Sequence, residues 1–281
     1  VTLKDQLITF IGPGAMASAM ASRLIKGDIQ SADKVLMSGP IVEQLEELEE
    51  RLGVSTTSNN LEAVKNAGVV VLSVKPQTIQ EVMDEIHGAI PKNALVLSIV
   101  AGARLDGLMK GLGHGAIVRS MPNTPAQVGE GITVWTATDE VTDEQRERTR
   151  LILNSFGEEV YVDHEDYLDM ATALSGTGPA YVFLLMEAMV DAGVHLGFPR
   201  RVSEQLVIQT FKGSVAYYEH SPRHLARLRN QVTSPGGTSA AALYYLEKAG
   251  VRTALSRAVW AAYERSVELG KGKKGSQPDN D

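Results

Sequence analysis

The chain has 281 residues, 43% hydrophobic and 22% charged, with aromatics at 5% and no cysteine. At roughly 100–200 residues per domain this length predicts two domains, with a single α/β barrel as the competitor, and the composition excludes disorder, collagen or a coiled coil as a description of the whole. Disulfides, thiolate nucleophiles and iron–sulfur clusters fall away with the cysteines, and a net charge of −7, from 27 basic and 34 acidic residues, argues against a nucleic-acid or anionic-membrane partner.

Apolar runs of strand length recur at Leu7–Ile11, Val35–Met37, Val69–Val74, Leu95–Val100 and Ala116–Val118. Their hydrophobicity is continuous rather than alternating, as in parallel strands covered on both faces. Helices are predicted between them over Ala15–Lys26, Ile41–Leu52, Leu61–Asn66, Ile79–His87 and Leu105–Leu112, which makes a βαβ series and an α/β, doubly wound sheet. Two further strands, Ile132–Thr136 and Val160–Val162, flank a charged helix over Asp143–Ser155. Beyond His164 the strand signals stop, and helices are expected over Pro179–Leu196, Arg201–Tyr218, Ser239–Lys248 and Val251–Leu269. The expected division is residues 1–163, an all-α domain over 164–270, and a polar, disordered tail over 271–281.

No segment reaches the ~20 consecutive apolar residues of a membrane span, and the chain opens without a basic-then-apolar leader, so a cytoplasmic location is expected. Ala180–Val190 carries a single charge and is apolar on every face. Such a helix is buried all round, either by its own chain or by a partner subunit.

Phe10-Ile-Gly-Pro-Gly-Ala-Met-Ala17 follows a strand and opens a helix, the context a G-x-G-x-x-A dinucleotide fingerprint requires. Gly12 permits the tight turn, and Gly14 removes the side chain where a pyrophosphate approaches backbone N–H groups at the helix start. The first domain is therefore expected to be Rossmann-like. Strand two ends Leu36-Met-Ser-Gly-Pro40, with no carboxylate before Glu43 to read a ribose 2′-hydroxyl. Ser38, the Gly39 amide and Asn60 are the candidate donors to a 2′-phosphate, so NADPH is favoured with NADH left open.

Pro235-Gly236-Gly237 breaks the chain before a helix, with Thr238 and Ser239 at its expected N-cap. Amides, hydroxyls and helix dipole there suit a small carboxylate; the plain alternative is a well-capped helix. Lys75 is either a coenzyme contact or a strand cap. Asp163-His-Glu-Asp166 is either catalytic or the acidic start of a helix, and His220 and His224, separated by Pro222, are not expected to share a metal.

Phe10–Ala17, Val74-Lys75-Pro76, Asn123-Thr-Pro125, Ser175–Tyr181 and Val232–Glu247 together resemble, in order, the pyrroline-5-carboxylate reductase family, which makes proline by reducing a cyclic imine with NAD(P)H. The resemblance implies a Rossmann domain followed by a helical dimerisation domain, with homodimers often assembled into rings of five. It places the coenzyme against Gly12, Pro13, Gly14, Ala15 and Met16, with Val74, Lys75, Pro76 and Ala101 near the nicotinamide and Asn60 at the 2′-phosphate region. The substrate carboxylate would meet the amides of Gly237, Thr238 and Ser239, in the turn with Gly236, supplied by the partner subunit. What imine reduction needs adds Ser239 as a donor to the ring nitrogen or a relay from water. This chain departs from the family where Ser239 stands for the usual Thr, Gly39 for a second Ser, Thr177 for a Ser, and Pro222–Leu225 for a His-Pro pattern. A β-hydroxyacid or ketopantoate-type reductase needs a lysine on the domain-linking helix, and Tyr167–Tyr181 has none. A non-catalytic dinucleotide sensor would not need the Pro-Gly-Gly-Thr-Ser turn.

Overall fold

The structure is a computed structural model and describes residues 2–221 and 223–271. Val1, Pro222 and residues 272–281, and with them nearly all of the predicted tail, lie outside that range.

The first part of the chain alternates strand and helix: β1 (Ile8–Ile11), α1 (Ala15–Lys26), β2 (Val35–Ser38), α2 (Val42–Leu52), β3 (Ser55–Thr57), α3 (Asn60–Val64), β4 (Val69–Leu72), α4 (Ile79–Ile86), β5 (Leu95–Ser98), α5 (Leu105–Leu112) and β6 (Ile117–Met121). It continues with β7 (Gly131–Ala137), α6 (Asp143–Asn154) and β8 (Gly157–Tyr161). The eight strands form one sheet in the order β3-β2-β1-β4-β5-β6-β7-β8. All pairs are parallel except β6 with β7, so the doubly wound sheet expected from the sequence is present, with the order reversal between β1 and β4 that creates a binding crevice in such folds.

The strands read as apolar runs because both faces are covered. On β4, Val69 and Val71 enter one core with Phe10, Met20, Leu24 and Trp135, while Val70 and Leu72 enter the other with Ile11, Val82, Met83 and Ile86. Each such side chain contributes about 1.5–3 kcal/mol when buried. α6 begins at a capping box, in which Thr142 Oγ1 accepts from the Gln145 amide while Gln145 Oε1 accepts from the Thr142 amide.

The helical remainder comprises α7 (Tyr167–Ala171), a π turn over Thr172–Gly176, α8 (Gly178–His195), α9 (Arg200–His220), α10 (Leu225–Gln231), α11 (Thr238–Lys248) and α12 (Val251–Gly270). The chain divides into two compact units, Val1–Thr177 with Ala261–Asp281, and Gly178–Trp260. Within the second, α8 packs on α9 where Gly193 faces Ser203, whose hydroxyl donates to the Val190 carbonyl at 2.8 Å.

α8 is not covered by its own chain. Phe183 and Leu184 are more than 60% exposed, and Val190 is the one buried residue of this helix. The sequence-based expectation that no segment is long and apolar enough to cross a membrane also changes. Tyr167–His195 satisfies that test by length and composition, because helix continuity through the π turn joins the apolar stretch to α7.

Candidate functional site

The coenzyme candidates gather at the carboxyl edge of three neighbouring strands, since Ile11 pairs with Leu72 and Leu72 with Ser98. Gly12 leaves β1 at φ +97°, where a Cβ would lie 2.7 Å from Val74 Cγ1 and 2.8 Å from the Val74 amide nitrogen. The Gly12 amide donates to the Ser38 carbonyl (2.9 Å), and the Ser73 hydroxyl donates to the Gly12 carbonyl (2.8 Å), so β1, β2 and β4 all grip the turn. Pro13 is buried, and its carbonyl accepts from Gln44 Nε2 at 2.7 Å.

Gly14 caps α1 and is exposed, with nothing within 4 Å of the position a Cβ would take. That open cradle adjoins the amides of Ala15 and Met16, in a first turn without acidic residues. The first amides of a helix have no intrahelical acceptor and sit at its positive end, so the residues present fit a pyrophosphate. Ala17 is fully buried where α1 meets the sheet.

Val74, Lys75 and Pro76 follow β4 after Ser73, and the Lys75 carbonyl accepts from the Thr78 amide (3.0 Å) and hydroxyl (3.1 Å), which closes the turn into α4. Ala101 lies in the turn after β5, where the Val100 amide donates to Ser98 Oγ and Gly102 packs on the backbone of Leu269 and Gly270. A groove of about 490 Å³ beside Pro13 and Gly14 runs instead between α1 and α2, past Ser18, Ser22, Glu47 and Arg51. None of Val74–Pro76 or Ala101 lines it.

The three donors named for a 2′-phosphate are already engaged. Ser38 Oγ donates to Asn60 Oδ1 at 2.7 Å, Asn60 Nδ2 donates to Glu85 Oε2 at 2.7 Å, and the Gly39 amide donates to the Thr57 carbonyl at 3.2 Å. The structure thus brings Ser38, Gly39 and Asn60 together but not as open donors. Glu85, 25 residues from Asn60, carried no signal in the sequence.

The acidic run near 163 belongs to an ion-pair network. Arg119, buried on β6, donates to Glu165 Oε1 (2.8 Å) and to Asp169 Oδ1 (3.2 Å). Arg104 reaches Asp166 at 3.1 Å and Glu165 at 3.3 Å, and the Ser266 hydroxyl donates to Asp169 at 2.8 Å. Burial opposes the charge on Arg104, yet Glu165, Asp166 and Asp169 outweigh it and raise its pKa above the ordinary arginine value. Glu165 also accepts from the Leu105 amide at 2.7 Å, at the start of α5. Of the two readings of this run, a helix start or catalysis, neither anticipated the arginines.

The carboxylate turn lies in the unit Gly178–Trp260. Here the expected helix start shifts by one residue: Gly237 is the N-cap of α11, with Thr238 and Ser239 inside its first turn. Glycine takes the cap because the preceding turn closes through its own amide, which donates to the Ser234 carbonyl at 3.0 Å. The amides of Thr238 and Ser239 therefore point from the helix end without intrahelical acceptors, Ser239 half-buried and Thr238 exposed.

Comparison with known proteins bears on what these features serve. The family model described as pyrroline-5-carboxylate reductase dimerisation matches residues 165–269, and that described as NADP oxidoreductase coenzyme F420-dependent matches residues 7–102. A pyrroline-5-carboxylate reductase of Synechocystis is 39% identical over 261 residues, covering 93% of this chain and 97% of its own. Among solved structures, the chain is similar to a pyrroline-5-carboxylate reductase of Coxiella burnetii, with TM-score 0.86 and 36% identity over 94% of this chain and 98% of that one. It is also similar to the Plasmodium falciparum pyrroline carboxylate reductase with NADP bound, with TM-score 0.88 and 33% identity over 95% of this chain and 99% of that one.

Proposed function

The chain belongs to the pyrroline-5-carboxylate reductase family, and from that premise we propose that it reduces 1-pyrroline-5-carboxylate to L-proline as a homodimer, with NADPH as hydride donor and NADH accepted. The observation that carries this reading is the open cradle at Gly14, beside the carboxyl ends of β1, β4 and β5. The nicotinamide coenzyme, when bound, supplies the hydride for the imine carbon.

The chain's own residues bind and orient. Gly12 and Pro13 shape the first turn, and the amides of Gly14, Ala15 and Met16 hold the pyrophosphate. Val74, Lys75, Pro76 and Ala101 form the wall against which the nicotinamide ring is oriented. Gly236 and Gly237 shape the second turn, and the Thr238 and Ser239 amides take the substrate carboxylate. The Ser239 hydroxyl donates to the ring nitrogen or relays a proton from water. An imine nitrogen is basic and can also arrive already protonated, so a strong enzymic acid is not obligatory and most of the catalysis is positioning, an effective-molarity term.

The working division is a coenzyme domain over 1–163 and a helical dimerisation and substrate domain over 164–270. The exposed apolar face of α8 supports subunit pairing, since a patch of that kind marks an interaction surface. A ring of five dimers, resting on family membership, and a cytoplasmic site of action complete the reading. The test is NADPH oxidation on adding pyrroline-5-carboxylate, run beside hydroxyacid and ketopantoate controls. Turnover with the imine alone is expected; turnover with a control, or with none of the three, overturns the reading.

A further inference from the structure

The hydrogen bonds around Asn60 run in one direction. Ser38 Oγ donates to Asn60 Oδ1, and Asn60 Nδ2 donates to Glu85 Oε2, both at 2.7 Å. The chain therefore ends on a carboxylate, which only accepts. Beside it, the Gly39 amide is held by the Thr57 carbonyl, and a hydroxyl-bearing side chain at 39 has no room, since a Cβ there would lie 2.4 Å from Pro13 Cδ. Residues 38–41 and 58–60 include no Lys or Arg, and no ion pair engages Glu85 among the described residues.

The two nicotinamide coenzymes differ at one ribose position. A 2′-hydroxyl both donates and accepts, so it joins this chain without rearranging it. A 2′-phosphate brings about two negative charges and acceptor oxygens alone. It must take the Ser38 hydroxyl and the Asn60 amide away from Asn60 Oδ1 and Glu85, and it stays close to a carboxylate of the same sign.

We propose that Glu85 is a determinant of coenzyme choice: by holding the Asn60 amide and adding a like charge beside the ribose site, it weakens NADPH selectively and leaves NADH a competent alternative. This rests on the reading of the β1–β4 edge as the nucleotide site. Glu85 is a positioning residue acting through Asn60, and its exposed place on α4 makes substitution there compatible with folding.

The experiment titrates NADP+ and NAD+ separately into the full-length wild-type, Glu85→Gln and Glu85→Ala proteins by calorimetry, with no turnover required. Glu85→Gln keeps an acceptor for Asn60 and removes the charge; Glu85→Ala removes both. Near-surface like charges support an effect on the order of tenfold. The expected result is NADP+ bound about tenfold more tightly by both variants, NAD+ within about twofold of wild type, and a difference that shrinks at high salt. An unchanged ratio of the two dissociation constants, or a parallel shift in both, overturns the proposal. Because binding is read without the imine, failure to make proline would strike the functional reading and not this one.

Discussion

A Cβ at Gly39 would lie 2.4 Å from Cδ of Pro13, so the coenzyme turn and the end of β2 meet with no space for a side chain at position 39. The serine that many family members carry there does not fit while Pro13 stays in place. Overpacking of this kind costs about 1–3 kcal/mol. Gly39→Ser is expected to lower the thermal midpoint and to weaken NADPH and NADH alike, by about tenfold. Tighter NADPH binding would show instead that the turn yields and the new hydroxyl contributes.

Gly12 and Gly14 should separate folding from binding. Gly12→Ala introduces a Cβ within 2.9 Å of the Ser73–Val74 backbone at φ +97°, a strain of about 1–3 kcal/mol, so both the melting temperature and coenzyme affinity should fall. Gly14→Ala meets nothing within 4 Å. It should melt like wild type and lose coenzyme affinity, because the added methyl stands in the anion cradle. Paired thermal melts and equilibrium titrations read the two effects.

Ser239→Ala is expected to lower kcat/KM for the imine by about 100-fold, the low end of the range for proton-transferring groups, with NADPH dissociation near wild type. Ser239→Thr keeps the hydroxyl and should retain most activity. Steady-state kinetics with both variants checks this, and undiminished turnover in Ser239→Ala removes the hydroxyl from the chemistry.

Arg119 is 2% exposed and Asp169 4% exposed. Arg119→Met leaves that buried carboxylate with only Arg104, 3.8 Å away, and the Ser266 hydroxyl, and breaking such a buried pair costs about 3–5 kcal/mol. Ser266→Ala removes one hydrogen bond to Asp169, a loss of about 1.5–3 kcal/mol when the acceptor is charged. Urea denaturation should rank the variants in that order.

The apolar face of α8 gives a test of assembly. Phe183 and Leu184 are exposed in the single chain, so Leu184→Asp should shift the protein from dimer to monomer by light scattering, while leaving the secondary structure of the coenzyme unit intact by circular dichroism. A mass unchanged from wild type would place the interface elsewhere.

What the sequence made legible follows from the range of the forces involved. α1 and α5 begin and end where periodicity and flanking glycines predict, and β4 and β5 announce themselves because every residue in them is buried. β3 was invisible: Ser55-Thr-Thr57 is a short, polar edge strand whose pairing with β2 supplies no hydrophobic signal. α10 starts from His224, whose ring accepts from the Ala226 amide, a cap absent from the usual cues. Relationships across long separations were equally hidden. Arg119 finds Glu165 and Asp169 46 and 50 residues away, and the Gly39–Pro13 contact turns a missing hydroxyl into a packing requirement.

The bond from Ser266 to Asp169, with Gly102 lying on the backbone of Leu269 and Gly270, has a consequence for biosynthesis. The ribosome releases α12 last among the described helices, yet its final turns complete the unit that begins at the first strand. A nascent chain paused after the sheet is therefore missing a wall of its own coenzyme unit, with Asp169 lacking one hydrogen-bond donor. Domains generally fold as units, and this unit has its full set of contacts only once α12 has followed the sheet out of the ribosome.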